Sequence, residues 1–171
     1  AYSQISLGLS SARRVLELIN RETKLDQNAS GRTSEMRGEI EFRNVSFKYP
    51  DGEAILKNIS FKVKPGQTVA IVGQTGAGKT SLAKLINRTY DVSEGQVLVD
   101  DIDVREWNLA SLREQISIIE QDIFLFSRSL RYNIAFGKPV ATKDEIMPAS
   151  IAAQAHDFIL DFDQTYATTV G

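Results

Sequence analysis

Gly73-Gln74-Thr75-Gly76-Ala77-Gly78-Lys79-Thr80 fits G-x-x-x-x-G-K-[ST], the pattern of a loop that wraps nucleotide phosphates. Ahead of it, Thr68-Val69-Ala70-Ile71-Val72 is a short apolar run with the pattern of a buried strand. Behind it, Ser81 to Arg88 carries Leu82, Leu85 and Ile86 at helical spacing. The motif thus falls between an expected strand and an expected helix, the context it needs. Backbone N–H groups can enclose a phosphate chain only where the main chain turns tightly and no side chain intrudes, and the loop glycines supply that freedom. The following helix points its N-terminus, with unpaired N–H groups and a partial positive charge, at the anion. Lys79 adds a full charge near the β- and γ-phosphates, and the Thr80 hydroxyl is placed to ligate Mg²⁺. The expected nucleotide-binding set is therefore Gly73, Gln74, Thr75, Gly76, Ala77, Gly78, Lys79, Thr80 and Ser81.

The rest of the chain bounds this reading. Its 171 residues suffice for one core-bearing domain with an appendage, and 42% apolar and 25% charged residues are ordinary for a globular protein. A formal net charge of −2, with Arg13-Arg14 as the densest basic spot, gives no reason to expect nucleic acid as a partner. The absence of cysteine excludes disulfides and thiolate metal sites and suits the cytosol. No apolar run approaches the roughly 18 residues of a membrane span, and the N-terminus lacks a signal-peptide pattern.

Along the chain, Ser3 to Asn20 reads as an amphipathic helix, with Ile5, Leu9, Ala12, Leu16 and Ile19 on one face. From Arg21 to Arg37 apolar residues thin out and Asn28-Ala29-Ser30-Gly31 interrupts, the mark of a linker. The globular part is expected from Gly38. Ile40, Phe42, Val45 and Phe47 suggest a strand with an irregularity near Asn44, and Ile59, Phe61 and Val63 alternate with polar residues in a second. Two half-exposed strands of this kind pair antiparallel. Downstream, Gln96 to Asp100 and Ile116 to Ile119 read as strands around a short helix from Leu109 to Glu114. Thr142-Lys143-Asp144-Glu145 fits a capping box, and Pro148 predicts a kink or two short helices after it.

With these pieces in place, the chain resembles the ATP-binding cassette of an ABC transporter, of the exporter type in which the cassette follows a membrane domain on one polypeptide. The resemblance rests on Gly38 to Pro50, the phosphate loop, and Leu109 to Gly137 with Gln121-Asp122-Ile123-Phe124-Leu125-Phe126-Ser127. It implies an α/β fold of the P-loop NTPase class, a mixed sheet with an antiparallel β subdomain. It divides the chain into a helix over 1–20 like the cytoplasmic end of a transmembrane domain, a linker over 21–37, and a partial ATP-binding domain over 38–171. It implies that Tyr49 stacks on adenine, that Lys79 and Gln121 serve catalysis, and that Gln121 joins Thr80 at Mg²⁺. Phe124, Leu125 and Phe126 would then belong to a docking surface for the membrane domain. Implied partners are ATP, that membrane domain and a second cassette, alike or different, at the cytoplasmic face of a membrane.

Family members continue past the position of Gly171 into a signature LSGGQ, a Walker B aspartate with a catalytic glutamate, and a switch histidine. None of these strings occurs here, so the chain alone is expected to hydrolyse little or no ATP. Val97-Leu98-Val99-Asp100-Asp101 has the look of a Walker B strand but stands where the family has a strand ending in an acid that does not serve the metal. His156 is expected to be structural. Glu120, Asp101 and Arg128 replace residues more usual in the family. A nucleotide-binding sensor or adaptor without hydrolysis, and a P-loop kinase with Asp100 at the metal, are the alternatives, and the antiparallel strands ahead of the loop speak against the kinase.

Overall fold

The computed structural model describes residues 11–16, 19, 25–50 and 52–171, which divide into two compact units, one ending at Ser117 and the other spanning Ile118–Gly171. In the first unit, β1 (Ile40–Lys48), β2 (Ala54–Val63), β3 (Glu94–Val99) and β4 (Ile102–Asp103) form an antiparallel sheet in the order β2-β1-β3-β4. β1 carries the irregularity its pattern predicts. Its register slips between Phe42 and Val45, with Asn44 in the left-handed region at φ 49°. One extra residue moves the buried set from even to odd positions, so that Phe42 and then Val45 and Phe47 all face the core. Phe42 stacks on Phe61 of β2 at 4.6 Å between ring centres.

Helix α1 (Lys79–Ile86) packs on this sheet through Leu82 and Leu85, joined by Val97, Val99, Trp107 and Leu112 in one core. Burying each leucine contributes about 1.5–3 kcal/mol, which ties the helix after the loop to the sheet. α2 (Leu109–Glu114) has the predicted bounds and is capped by Asn108, whose side chain accepts from the Ser111 N–H.

The β3–β4 hairpin turns on Asp100 and Asp101, with φ of 53° and 64°. A two-residue turn of this hand favours glycine or asparagine. Asp100 offsets its strain by accepting from the backbone N–H groups of Arg37 at 2.5 Å and Glu39 at 2.9 Å.

Residues 11–16 are helical, and the rest of the predicted N-terminal helix lies mostly outside the described residues. The expected linker is irregular from Leu25 onward, as predicted, but it is fastened down. Arg32 bridges to Trp107, donating to Glu106 C=O and accepting from Asn108 N–H, and Leu109 N–H donates to Gln27 C=O. Gln115 accepts from Met36 N–H and donates to Ser34 C=O. The approach is so close that a Cβ on Gly31 would lie 2.5 Å from Asn108 N.

Two expected strands do not form. Residues 68–72 and 116–119 have no regular structure, because a strand exists only through ladder bonds to a neighbour and no strand among the described residues pairs with either. Val72 is 93% exposed and Ile119 94%. An apolar run carries the propensity for a buried strand and not the partner it requires.

The second unit holds α3 (Leu130–Ile134), α4 (Lys143–Ala152) and α5 (His156–Leu160). Asn133 ties its entry together, accepting from Phe126 N–H and donating to Phe126 C=O. The capping box at Thr142 and Glu145 forms. Two helices follow it, as expected, yet α4 runs through Pro148 and ends only at Ala152. The break falls at Ala153–Ala155, where Gln154 takes a φ of 55°.

Candidate nucleotide-phosphate site

The loop is built around Gly78, the N-cap of α1, at φ 86° and ψ 10°. A Cβ there would lie 2.7 Å from Ile55 Cγ2 and 2.8 Å from Leu56 Cδ2, so β2 closes over the position and only glycine fits. Ala77 N–H donates to Gln74 C=O at 3.1 Å, closing the turn, and Leu82 N–H donates to Gly78 C=O at 2.9 Å, the first bond of the helix. The N–H groups of Lys79, Thr80 and Ser81 have no acceptor among the described residues. No side chain caps them and no acid stands in the first turn. A helix end left in this state is an anion-binding site.

Lys79 Nζ donates to the carbonyls of Gly73 at 2.8 Å and Gln74 at 2.7 Å. Its charge is held at the loop by contacts to the chain itself. Gln74, Thr75 and Gly76 are exposed, as is Thr80, whose hydroxyl has no partner among the described residues. These donors suit a polyphosphate, and the free Thr80 hydroxyl suits Mg²⁺ beside it.

Tyr49 directly follows β1 and is brought to this helix: its hydroxyl shares a hydrogen bond of 3.0 Å with Ser81 Oγ. Phe47 and Tyr90 meet its ring at 5.0 and 5.1 Å in edge-on geometry. The ring is therefore held in place from two sides and at its tip. The family resemblance pointed to Tyr49 and the loop motif to Ser81; the bond between them and the support from Tyr90 have no sequence signal.

Gln121 lies in the second unit and is exposed. In that unit the apolar run beyond it splits by role. Phe126 packs against Phe136 and Tyr132, while Phe124 meets the Phe126 ring edge-on at 5.0 Å and stays 75% exposed. His156 Nδ1 meets Tyr166 Oη at 2.8 Å, and Tyr166 in turn bonds Ser150, in line with the structural role expected for this histidine.

Two acidic features are spoken for by the chain. Asp100, the look-alike of a Walker B aspartate, accepts from Arg37 and Glu39 N–H. Glu39, Glu41 and Asp101 converge, but Lys62 reaches all three, at 2.6, 3.3 and 3.7 Å, and Arg43 pairs with Glu41 at 2.6 Å. The Arg43 guanidinium, helped by Lys62, holds the Glu41 carboxyl at about 2 against the desolvation that would raise it.

Comparison with known proteins agrees with this geometry. The ABC transporter family model matches residues 56–169. YgaD of Bacillus subtilis (strain 168), provisionally named a multidrug export ATP-binding/permease protein, is 46% identical over 98% of this chain and 29% of its own length. YknV of the same organism, an uncharacterized ABC transporter ATP-binding protein, is 41% identical over 99% of this chain and 28% of its own. A bacterial Atm1-family ABC exporter solved with ATP bound superimposes with a TM-score of 0.83 at 36% identity, over 99% of this chain and 30% of that one. The chain thus spans less than a third of the length of these relatives. With the family model covering most of β2, the phosphate loop, β3, β4 and most of the second unit, the chain belongs to the ABC transporter family and has its P-loop NTPase cassette fold.

Proposed function

We propose that residues 73–81 and Tyr49 bind Mg²⁺–ATP and that the chain is the nucleotide-binding part of an exporter, in which ATP binding and hydrolysis drive movement of a solute or lipid across a membrane. The observation that carries this reading is the row of three N–H groups at Lys79, Thr80 and Ser81 with neither acceptor nor acid. The likeness to an exporter with ATP bound supports it. The backbone donors and Lys79 fix the phosphate chain, and the Tyr49 ring offers a face for the base; stacking of this kind is worth about 1–3 kcal/mol in nucleic-acid systems. Thr80 and Gln121 would hold Mg²⁺, which when bound neutralises charge on the phosphate oxygens. The Gln121 amide both donates and accepts, as a group meeting a metal and the attacking water must. Residues 1–20 and 21–37 are assigned to a membrane-domain end and its link to the cassette at residues 38–171, on the cytoplasmic face. A second cassette, alike or different, would pair with this one.

Calorimetric titration with Mg²⁺–ATP tests the site. Saturable uptake is expected, weakened about ten- to a hundredfold in Lys79→Ala, the loss of one charge-assisted interaction. No saturable uptake by the intact polypeptide overturns the assignment.

A further inference from the structure

The phosphate-binding end of α1 is open, while its other end is closed with unusual care. Thr89 N–H donates to Lys84 C=O at 2.9 Å and Arg88 N–H to Leu85 C=O at 3.2 Å, a Schellman closure with Arg88 in the left-handed position at φ 52°. The two carbonyls just beyond the helix are then taken by a single guanidinium from another element. Arg113 donates from Nε to Asn87 C=O at 3.1 Å and from Nη2 to Arg88 C=O at 2.8 Å.

We propose that Arg113 is a positioning residue for the nucleotide-phosphate site, acting through the far end of α1; this rests on the reading of residues 73–81 as that site. α1 has eight residues and is about 12 Å long, so displacement of one end carries to the other. Its N-terminus has no side-chain cap, Leu82 and Leu85 hold the helix against the sheet, and Tyr49 bonds Ser81 in the first turn. The fork adds a hold at the far end. It grips a carbonyl of Arg88, which is 3% exposed and anchored by its own pair to Asp91 at 2.8 Å. The other side of the clamp is equally fixed. Leu109 and Leu112 bury α2, Asn108 caps it, and Gln115 ties its end to Ser34 and Met36. A cation at a helix C-terminus also reinforces the polarity that the N-terminus presents to an anion. Arg113 itself is exposed, so its truncation opens no cavity in the core.

The test is Mg²⁺–ATP titration of the intact polypeptide with amide exchange across Leu82–Ile86. Arg113→Ala is expected to speed exchange in α1 and to weaken binding about three- to tenfold, less than the ten- to hundredfold of a charged contact made directly to the ligand because it acts through the helix. Arg113→Lys keeps the charge without the fork and should fall between. Arg105→Ala breaks the pair with Asp103 on β4, makes no contact with α1, and should lower stability while leaving affinity unchanged. Wild-type affinity in Arg113→Ala overturns the proposal and leaves the phosphate site standing, as does an Arg105→Ala that weakens binding equally. Absence of binding in the unsubstituted protein overturns the site itself.

Discussion

Two groups of backbone N–H donors in the first unit met opposite fates. At Arg37 and Glu39 the donors are satisfied by a carboxylate of the chain, Asp100. At Lys79, Thr80 and Ser81 the first turn holds no acid, whereas α4 places Asp144 and Glu145 in its own first turn. Both groups follow or face an apolar strand pattern, and both have an acid or a lysine close by in sequence. What separates them is whether the neutralising charge is built in. Where it is, the donors serve folding; where it is missing, they are left for a ligand.

The sharpest way to break this contrast is to build an anion into the open group. Thr75 is exposed and its backbone lies outside the left-handed region, so Thr75→Asp can be accommodated. A carboxylate near 5 Å from the phosphate chain costs about 3 kcal/mol at an effective dielectric of 20. Mg²⁺–ATP affinity measured by calorimetry should fall about a hundredfold. Unchanged affinity would mean that the anion is held elsewhere.

The converse change removes the built-in anion. Asp100→Ala should cost about 1.5–3 kcal/mol in urea unfolding through two lost charge-assisted bonds, with Mg²⁺–ATP affinity unchanged. Intact stability with lost hydrolysis would instead make Asp100 a metal ligand.

The smallest effect concerns α4, where the acid caps the helix. Lys138 first, then the Thr142 N–H and hydroxyl, hold the Glu145 carboxyl at about 2, below its ordinary 4.5. A carboxyl whose pKa is lowered by folding stabilises fully above its unfolded value and loses that contribution as pH falls through its folded value. The α4 N-terminus should therefore weaken between about pH 4.5 and 2, seen as a shift of the Thr142 amide resonance that Glu145→Gln abolishes. A Thr142 shift that persists in Glu145→Gln would assign the titration to another group.

Local signals were legible in the sequence and non-local ones were not. The loop, the bounds of α2, the capping box at Thr142 and the slip near Asn44 each depend on residues within one turn of each other. The segment after Leu25 read as a free linker because its fastenings reach across 60 to 80 positions to Asp100 and Gln115, and polar contacts of that span have no period. Residues 68–72 read as a strand because pattern reports burial preference and is silent on pairing. Pro148 predicted a kink or two short helices; two helices form, but α4 runs through the proline and the break falls at 153–155, a position set by packing beyond the local pattern. At the site, residue types named the phosphate binders, while the Tyr49–Ser81 bond and the Arg113 fork come from tertiary packing alone.

The fastening of residues 25–39 makes that stretch a strut and not a rope. A slack polar tether of fifteen residues would absorb a pull over a distance near 5–6 Å times the square root of its length, about 20 Å, before transmitting any of it. Here bonds at Arg32, Met36 and Glu39 tie the stretch down at three points along its length, so a tug arriving at Leu25 reaches the β3–β4 hairpin and α2 without slack to take up.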